Sequence, residues 1–320
     1  MIVTELTEAF RLQHPIVLAP MGGASGGRLA AAVSNAGGLG LVGGGYGDRE
    51  WLSRELALVK AQTTRPWGVG LITWSIGPGI LELALGARPD ALMLSFGDPR
   101  PHAKAIKAAG CRLICQVQGL DEARLAREAG ADFFVAQGTE AGGHGGSRGT
   151  LPLVPAIVDF AAPTPVVAAG GIVDGRGLAA ALMLGAHGAL MGTRFCASAE
   201  ALGRDGAKQR LVAAHGGETA RTHVFDIVRD YRWPEPYTGR ALRNRFLTRW
   251  TGREDELVAA LETERPAYRK AADDEDYDTA LVWAGEGVDL ITGVEPAAAL
   301  VARIGAEAEA QLRESAKLLR

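Results

Sequence analysis

Short apolar runs alternate with longer amphipathic segments along the first 200 residues of the chain. Each run is apolar almost without interruption, as in a parallel strand covered by helices on one side and by a core on the other. A glycine or polar turn follows nearly every run and precedes a helical pattern, which is typical of βα units. Strands are predicted over residues 16–20, 39–43, 68–72, 91–96, 112–117, 133–137, 166–169 and 188–192.

The segments between these strands have the apolar period of helices that pack against a sheet. Helices are predicted over residues 27–35, 48–61, 79–85, 102–108, 120–128, 152–160 and 175–184. An amphipathic segment over residues 297–319 can supply the eighth helix. Eight strand–helix units favour an α/β fold of the closed (β/α)8, or TIM-barrel, type. An open doubly wound sheet is less consistent with the chain, because no reversal of strand order can be located.

Residues 201–282 interrupt this alternation. They lack strand-like runs, are polar and helical in pattern, and contain an aromatic, proline-rich break at residues 231–237. We predict a small helical subdomain inserted after the eighth strand, with residues 1–200 and 283–320 forming the barrel. Its arginines suggest either a solvated or interdomain helical face, or a basic lip for an anionic substrate, a nucleotide phosphate or an acyl-carrier protein. These arginines are Arg221, Arg229, Arg232, Arg240, Arg243, Arg245, Arg249 and Arg253.

Overall composition and the absence of certain motifs argue against nucleic-acid binding, metal binding, secretion and membrane insertion. The formal net charge is −3, so no global basic field attracts nucleic acid or anionic lipid. Cys111 and Cys115 are interpreted as small buried side chains, and no zinc-type spacing, lysine-containing phosphate loop or Gly-x-Ser-x-Gly motif occurs, so no metal site is predicted. Two acidic residues, Glu5 and Glu8, come before any apolar run, which is not typical of a signal peptide. No apolar stretch is long enough to span a bilayer. We therefore expect a cytoplasmic protein without nucleic-acid or membrane partners.

Functional residues of a (β/α)8 barrel lie at the carboxyl ends of its strands, and these ends are rich in glycine here. Gly170-Gly171 and Gly192-Thr193 follow the seventh and eighth predicted strands, where this fold commonly binds phosphate. Their backbone N–H groups can face an anion, with helix N-termini adding partial positive charge. Either pair alone could be only a tight turn, but together they predict an anion site. Asp174 is interpreted as a helix cap.

One of the six histidines has an unusual setting. His144 lies in a glycine-rich loop, Glu-Ala-Gly-Gly-His-Gly-Gly, after the sixth predicted strand. Such a loop is conformationally costly, so an imidazole held there at the barrel mouth is expected to have a function. The nearby anion site strengthens this inference, and we predict His144 as the catalytic residue. Glu140 is expected to form hydrogen bonds within the loop.

These segments resemble those of the nitronate monooxygenases, formerly called 2-nitropropane dioxygenases, and are similar to those of FMN-dependent enoyl-acyl-carrier-protein reductases. The matching residues are 14–45, 140–145, 168–177 and 185–195, and the likeness covers nearly the whole barrel and, more loosely, the inserted segment. The resemblance implies that FMN is the cofactor and that His144 is a catalytic base or a substrate-orienting group. The cofactor-binding residues that it implies are Met21, Gly22, Gln116, Gln137, Gly143, Ala169, Gly170, Gly171, Gly192 and Thr193.

The implied reaction is oxidation of alkyl nitronates with O2 to a carbonyl compound and nitrite. The alternative is NAD(P)H-dependent reduction of enoyl thioesters or quinones on the same flavin scaffold. Related enzymes often have Asn where Gly70 stands and Lys where Gln116 stands, so the flavin here is expected to lie in a less electropositive site. The expected partners are a small-molecule substrate and O2, with NAD(P)H in the alternative reaction. A homodimer is the oligomeric state considered for the protein.

Overall fold

The computed structural model describes residues 1–319, and eleven strands occur in them. They are β1 (Ile16–Leu18), β2 (Gly40–Gly43), β3 (Trp67–Ile72), β4 (Ala91–Ser95), β5 (Arg112–Val117), β6 (Phe133–Gln137), β7 (Gly143–Gly145), β8 (Val166–Ala169), β9 (Ala189–Met191), β10 (Thr219–Thr222) and β11 (Thr238–Leu242). Eight of these form one parallel sheet in the order β1-β9-β8-β6-β5-β4-β3-β2. Each of the eight predicted strands has its counterpart in this sheet.

The sheet closes between its two outer strands. Val17 of β1 and Leu39, which directly precedes β2, form a parallel bridge. The Leu39 N–H donates to the Ile16 carbonyl, and the Leu18 N–H donates to the Leu39 carbonyl, both at 2.9 Å. These bonds join the first and second strands along the chain, so the predicted (β/α)8 barrel is confirmed.

Fifteen α-helices accompany the strands in residues 1–319. They are α1 (Glu5–Phe10), α2 (Gly27–Asn35), α3 (Arg49–Gln62), α4 (Ile80–Gly86), α5 (Arg100–Ala108), α6 (Leu120–Glu128), α7 (Thr150–Ala161), α8 (Gly175–Met183), α9 (Thr193–Cys196), α10 (Asp205–Ala213), α11 (Val224–Arg229), α12 (Arg245–Trp250), α13 (Glu254–Ala259), α14 (Leu261–Asp273) and α15 (Ala297–Ser315). All eight predicted helices are present, and α15 packs against α8 and α2 as the eighth barrel helix. Within residues 1–319, no helix combines the length and apolar character needed to cross a membrane.

Two apolar layers explain why the strands are apolar on both faces. In β4, Leu92 and Leu94 point into the layer between strands and helices, whereas Met93 points into the barrel interior. Leu6 and Phe10 of α1 join the interior cluster, so α1 covers the amino end of the barrel. The amino end is therefore filled by side chains, and the carboxyl ends of the strands are left for function.

The two cysteines interpreted as buried are indeed buried among apolar side chains. Cys111 and Cys115 both belong to the cluster between the strands and the helices. Cys115 lies within β5, whereas Cys111 directly precedes that strand. Burial raises the pKa of each thiol to about 12, so both side chains stay protonated and act as small core residues.

Residues 201–282 contain the helices α10 to α14, but the expectation that they lack strands is wrong. β11 pairs antiparallel with β10 and with β7, which belongs to the glycine-rich loop after β6. The two missed strands, Thr-Ala-Arg-Thr and Thr-Gly-Arg-Ala-Leu, are too short and polar to give a strand pattern. Phe225, Phe246 and Trp250 belong to a separate apolar cluster. The segment therefore has a core of its own while sharing a sheet with a barrel loop.

Candidate active site

A cavity opens at the carboxyl ends of the barrel strands. Its walls come from the ends of β1, β3, β5, β6, β8 and β9, and from Arg229 and Trp233 of the segment after the barrel. It encloses about 1320 Å³ of empty space, counting its open mouth. The cavity therefore brings the strand ends of the barrel and two residues of the later segment around one opening.

The residues predicted from the sequence to serve catalysis or cofactor binding all line this one cavity. They are Met21, Gly22, Gln116, Gln137, Gly143, His144, Ala169, Gly170, Gly171, Gly192 and Thr193. They come from six different strand ends and loops, and the closed barrel brings them together. Their individual roles remain predictions.

His144 is held in a strand rather than in a free loop. It lies at the centre of β7, opposite Gly239 of β11. Its Nε2 lies 2.9 Å from Oδ2 of Asp226 on α11, and both side chains are buried. The imidazole stacks on Trp233 with ring centroids 3.5 Å apart and planes 7° apart, and Trp283 contacts it edge-on at 5.0 Å. The ring is therefore oriented by one hydrogen bond and two aromatic contacts.

The surroundings of His144 favour a neutral imidazole. Burial lowers the pKa of His144, the hydrogen bond and charge of Asp226 oppose this, and the charges of Arg229 and Arg221 lower it further. An ionised carboxylate can only accept a hydrogen bond. Assigned from this hydrogen bond, the neutral tautomer carries its proton on Nε2 and donates it to Asp226. Nδ1 then keeps a lone pair and can act as a base.

Two arginines of residues 201–282 fix the loop that carries His144. The Arg221 guanidinium donates to Oγ1 of Thr139 at 2.8 Å and to the Gly145 carbonyl at 3.2 Å. Arg240 donates to the Thr139 carbonyl at 2.9 Å and forms an ion pair with Glu286 at 2.8 Å. Burial lowers the pKa of Arg221 to about 10. These two arginines thus connect residues 201–282 to the loop of β7, whereas Arg229 lines the cavity.

A chain of amides leads from the barrel interior to this loop. Gln116 Nε2 donates to Gln137 Oε1 at 3.1 Å, and Gln137 Nε2 donates to the His144 carbonyl at 3.1 Å. Both glutamine side chains are buried and line the cavity. Gln116 therefore presents a neutral group at the position where related enzymes often have a lysine, and it also supports the position of His144 through Gln137.

The glycine pairs after β8 and β9 present backbone donors. Gly170 and Gly171 adopt φ of 106° and 70°, values that favour glycine. The N–H groups of Gly171 and Thr193 have no acceptor within residues 1–319. Thr193 Oγ1 accepts from Gly285 N–H at 3.0 Å and keeps its own proton to donate. The loops can therefore offer at least three donors to an anion.

The helix N-termini next to this anion site differ in whether their first N–H groups are free. Asp174 caps α8 as predicted, accepting from the N–H groups of Arg176 and Gly177 at 3.0 and 3.1 Å. The Gly175 N–H donates to Glu307 at 3.1 Å. The first N–H groups of α8 are thus already used, whereas α9 begins at Thr193, whose N–H has no acceptor in residues 1–319. The contribution of a helix N-terminus to anion binding stays a prediction, and α9 is the helix that could provide it.

Two further expectations concern Glu140 and Gly70. Glu140 accepts from the N–H and the hydroxyl of Thr150 at 2.9 and 2.8 Å, so it bonds to the first residue of α7, and the expectation of hydrogen bonds within its own loop is wrong. Gly70 lies beside Pro20, and a Cβ added at position 70 would meet Pro20 Cγ at 2.2 Å. The ring of Pro20 therefore explains why this position is glycine rather than asparagine.

Sequence reasoning missed Asp226 and Trp233. Asp226 lies on α11, whose polar positions look like an ordinary solvated face in the sequence, and it is 82 residues from His144. Trp233 was noted only as part of an aromatic break. Its indole N–H donates to the Tyr46 hydroxyl at 2.9 Å, which ties the break to the loop after β2. Only the clustering of aromatic residues there hinted at a buried role.

A (β/α)8 barrel with a buried histidine–aspartate pair and free backbone donors at its carboxyl end has the organisation of an enzyme. The family model described as "Nitronate monooxygenase" matches residues 3–75 and 79–307 of the chain. The chain therefore belongs to the nitronate monooxygenase family and is an oxidoreductase of that type.

The individual relatives are named as different enzymes. "Nitronate monooxygenase npaC" of Metarhizium robertsii is 39% identical, over 91% of this chain and 87% of that protein. "(3aS,4S,5R,7aS)-5-hydroxy-7a-methyl-1-oxo-octahydro-1H-indene-4-carboxyl-CoA dehydrogenase" of Mycobacterium tuberculosis is 39% identical, over 69% of this chain and only 63% of that protein. The structure of FabK from Thermotoga maritima matches with a TM-score of 0.89 and 29% identity over 100% of both chains. Family membership alone therefore leaves more than one reaction open.

Proposed function

We propose that the chain is an FMN-dependent nitronate monooxygenase that oxidises alkyl nitronates with O2 to a carbonyl compound and nitrite. The net reaction balances when two nitronates and one O2 give two carbonyl compounds and two nitrite ions. The observation that carries the proposal is the buried His144–Asp226 pair, whose bond of 2.9 Å leaves one imidazole nitrogen free at the wall of the cavity. Such a base suits a nitroalkane, which must lose its α-proton to become the nitronate that is oxidised.

The residues present fit FMN. The free N–H groups of Gly171 and Thr193, with the Thr193 hydroxyl, would hold its phosphate. Met21 and Gly22 would lie against its ring, and the neutral amide of Gln116 would face it. When bound, FMN supplies the redox chemistry, and the protein supplies binding, orientation and electrostatics.

The chain's own residues would prepare the substrate. His144 Nδ1 takes the α-proton of a nitroalkane, and Asp226 stabilises the imidazolium that results. Trp233 and Trp283 hold the imidazole in one plane and keep water from its faces. A substrate that arrives already as the nitronate needs no proton removal, and a protonated His144 would then pair with its oxygen.

The alternative is NAD(P)H-dependent reduction of enoyl thioesters or quinones by the same flavin site. Two observations favour keeping it: the carboxyl-CoA dehydrogenase among the relatives, and the match to FabK over the whole chain. In this alternative, His144 would orient or protonate the substrate rather than deprotonate it.

One experiment separates the two. The purified protein is first examined for the visible absorbance of oxidised flavin and is then mixed anaerobically with propionate 3-nitronate or with NADPH. Rapid bleaching by the nitronate, followed by nitrite release when O2 is admitted, is the expected result. Rapid bleaching by NADPH without nitronate turnover would replace the proposal by the alternative. A colourless protein that gains no colour with added FMN would contradict both.

A further inference from the structure

Arg229 is a charged residue at the cavity whose side chain is not explained by the contacts described so far. It ends α11, three residues after Asp226, and lines the cavity. The side chain is half-buried, but its Nη1 is completely buried and has no hydrogen-bond partner in residues 1–319. The guanidinium carbon lies 4.7 Å from the ring centroid of Tyr231. The aromatic face supports the cation without supplying an acceptor.

The neighbouring carboxylates are paired with other residues, although Oδ1 of Asp226 is itself buried without a hydrogen-bond partner in residues 1–319. Asp226 pairs with His144 at 2.9 Å, and Asp230 pairs with Arg265 at 3.3 Å. No carboxylate lies within salt-bridge distance of Arg229 in the described part of the chain. A buried charged donor without an acceptor is costly, and an anion that entered the cavity would remove that cost.

The position of Arg229 separates it from the proposed phosphate site. Tyr231, over which the guanidinium lies, stacks on Tyr46 with centroids 3.9 Å apart and planes 12° apart. Tyr46 follows β2, whereas the glycine pairs follow β8 and β9, which lie three and two strands away around the barrel. Arg229 is also on the same helix as Asp226, three residues further along, and Asp226 is hydrogen-bonded to His144. The guanidinium thus lies on the substrate side of the cavity, near the base.

We propose that Arg229 is the substrate's oxyanion receptor and that it binds the two oxygens of the nitronate group. This inference rests on the proposed function and adds a specificity-determining residue to it. A guanidinium presents planar, paired N–H donors that match a planar group with two oxygens. Its positive charge favours the anionic nitronate over the neutral nitroalkane. When a nitroalkane is the substrate, His144 can take its α-proton while Arg229 stabilises the nitronate that forms.

The test measures binding separately from turnover. Butanoate is an unreactive, planar two-oxygen anion of similar shape to a nitronate, and butanamide is its neutral counterpart. Both are titrated into the purified protein while tryptophan fluorescence, to which Trp233 and Trp283 at the cavity contribute, is followed. The wild type is expected to bind butanoate about 10- to 100-fold more tightly than butanamide, the range expected for a charge-assisted hydrogen bond.

The variants are Arg229→Met and Arg229→Lys, and the control is Arg232→Met, which removes an exposed arginine of the same segment. Arg229→Met should lose the preference for butanoate, Arg229→Lys should keep part of it, and Arg232→Met should keep all of it. All three should retain flavin. Thermal unfolding checks that each variant is folded. If Arg229→Met does not fold, the comparison of Arg229→Lys with the wild type serves as the test.

Three results would overturn the inference: no preference for butanoate in the wild type, an undiminished preference in both Arg229 variants, or loss of flavin from both. Nitronate turnover with an unchanged KM in folded Arg229→Met would also overturn it, while leaving nitronate oxidation standing. Conversely, a preference for butanoate that depends on Arg229, in a protein that turns over no nitronate, would remove the proposed function and leave the oxyanion receptor.

Discussion

Asp226→Asn tests the pair on which the proposed chemistry depends. The substitution keeps the size of the side chain that lies 2.9 Å from His144 Nε2, but it removes the negative charge. An amide can accept or donate, so it no longer fixes which imidazole nitrogen carries the proton. Asp226 also stabilises the imidazolium that forms when His144 takes a proton. The variant is therefore expected to lose activity through the base while leaving the cavity intact.

The size of the loss follows from the bond that is broken. A hydrogen bond to a charged group contributes about 1.5–3 kcal/mol, and about 1.4 kcal/mol corresponds to a factor of ten in rate. We expect kcat/KM for a neutral nitroalkane to fall by roughly one to two powers of ten. Burial already lowers the pKa of His144, and Asp226 opposes this shift. Removing the charge lowers that pKa further, so the acidic limb of the kcat/KM profile should move to lower pH.

The assay is nitrite release measured as kcat/KM across the pH range, with flavin content recorded for every variant. The profile of kcat/KM reports the pKa of the free enzyme's base. Asp230→Asn is the matched control, since it makes the same change at an exposed residue that caps the same helix. An Asp226→Asn variant whose plateau and acidic limb both coincide with those of the control would refute the role given to this pair.

Three further outcomes are expected. His144→Ala should keep its flavin absorbance and lose about 10²- to 10⁴-fold in nitroalkane turnover, and an active variant would remove His144 from the mechanism. Gly171→Asp combined with Thr193→Val should be purified without flavin, because a carboxylate would face the phosphate and the hydroxyl donor would be gone; unchanged absorbance per protein would contradict that site. Gly70→Ala should lower Tm by roughly 2–10 °C, since its Cβ would meet Pro20 Cγ at 2.2 Å, whereas Gly77→Ala, with no atom within 4 Å, should not. Equal melting of these two variants would show that the Pro20 contact does not constrain position 70.

Much of the barrel could be predicted because its strands are buried on both faces. Leu92 and Met93 are adjacent in the sequence yet belong to different apolar layers, and that arrangement produces the uninterrupted apolar runs. The glycines at the strand ends indicated the location of the site for a related reason. In a closed parallel barrel, the carboxyl ends of all strands meet at one rim, so Gly171 and Thr193 could be assigned to one site without knowing any distance.

The parts of the site that could not be predicted depend on contacts between residues far apart in the sequence, which leave no local sequence pattern. Asp226 reaches His144 only because β11 pairs with β7 and brings α11 over the barrel mouth. A short polar strand such as β10 has neither the length nor the alternation that would reveal this pairing. In the same way, no local pattern shows that the Gly175 N–H at the start of α8 donates to Glu307, which is 132 residues away.

The shared sheet of β7, β10 and β11 has a consequence for exchanging parts between relatives. A chimera that replaced residues 201–282 would also replace Asp226, Trp233 and the strand that supports His144, although the histidine itself would be unchanged. The orientation and the hydrogen bond of the His144 imidazole therefore depend on residues 201–282 as well as on its own loop. A transplant that preserves the chemistry has to move the loop of β7 and the later segment together, as one cassette.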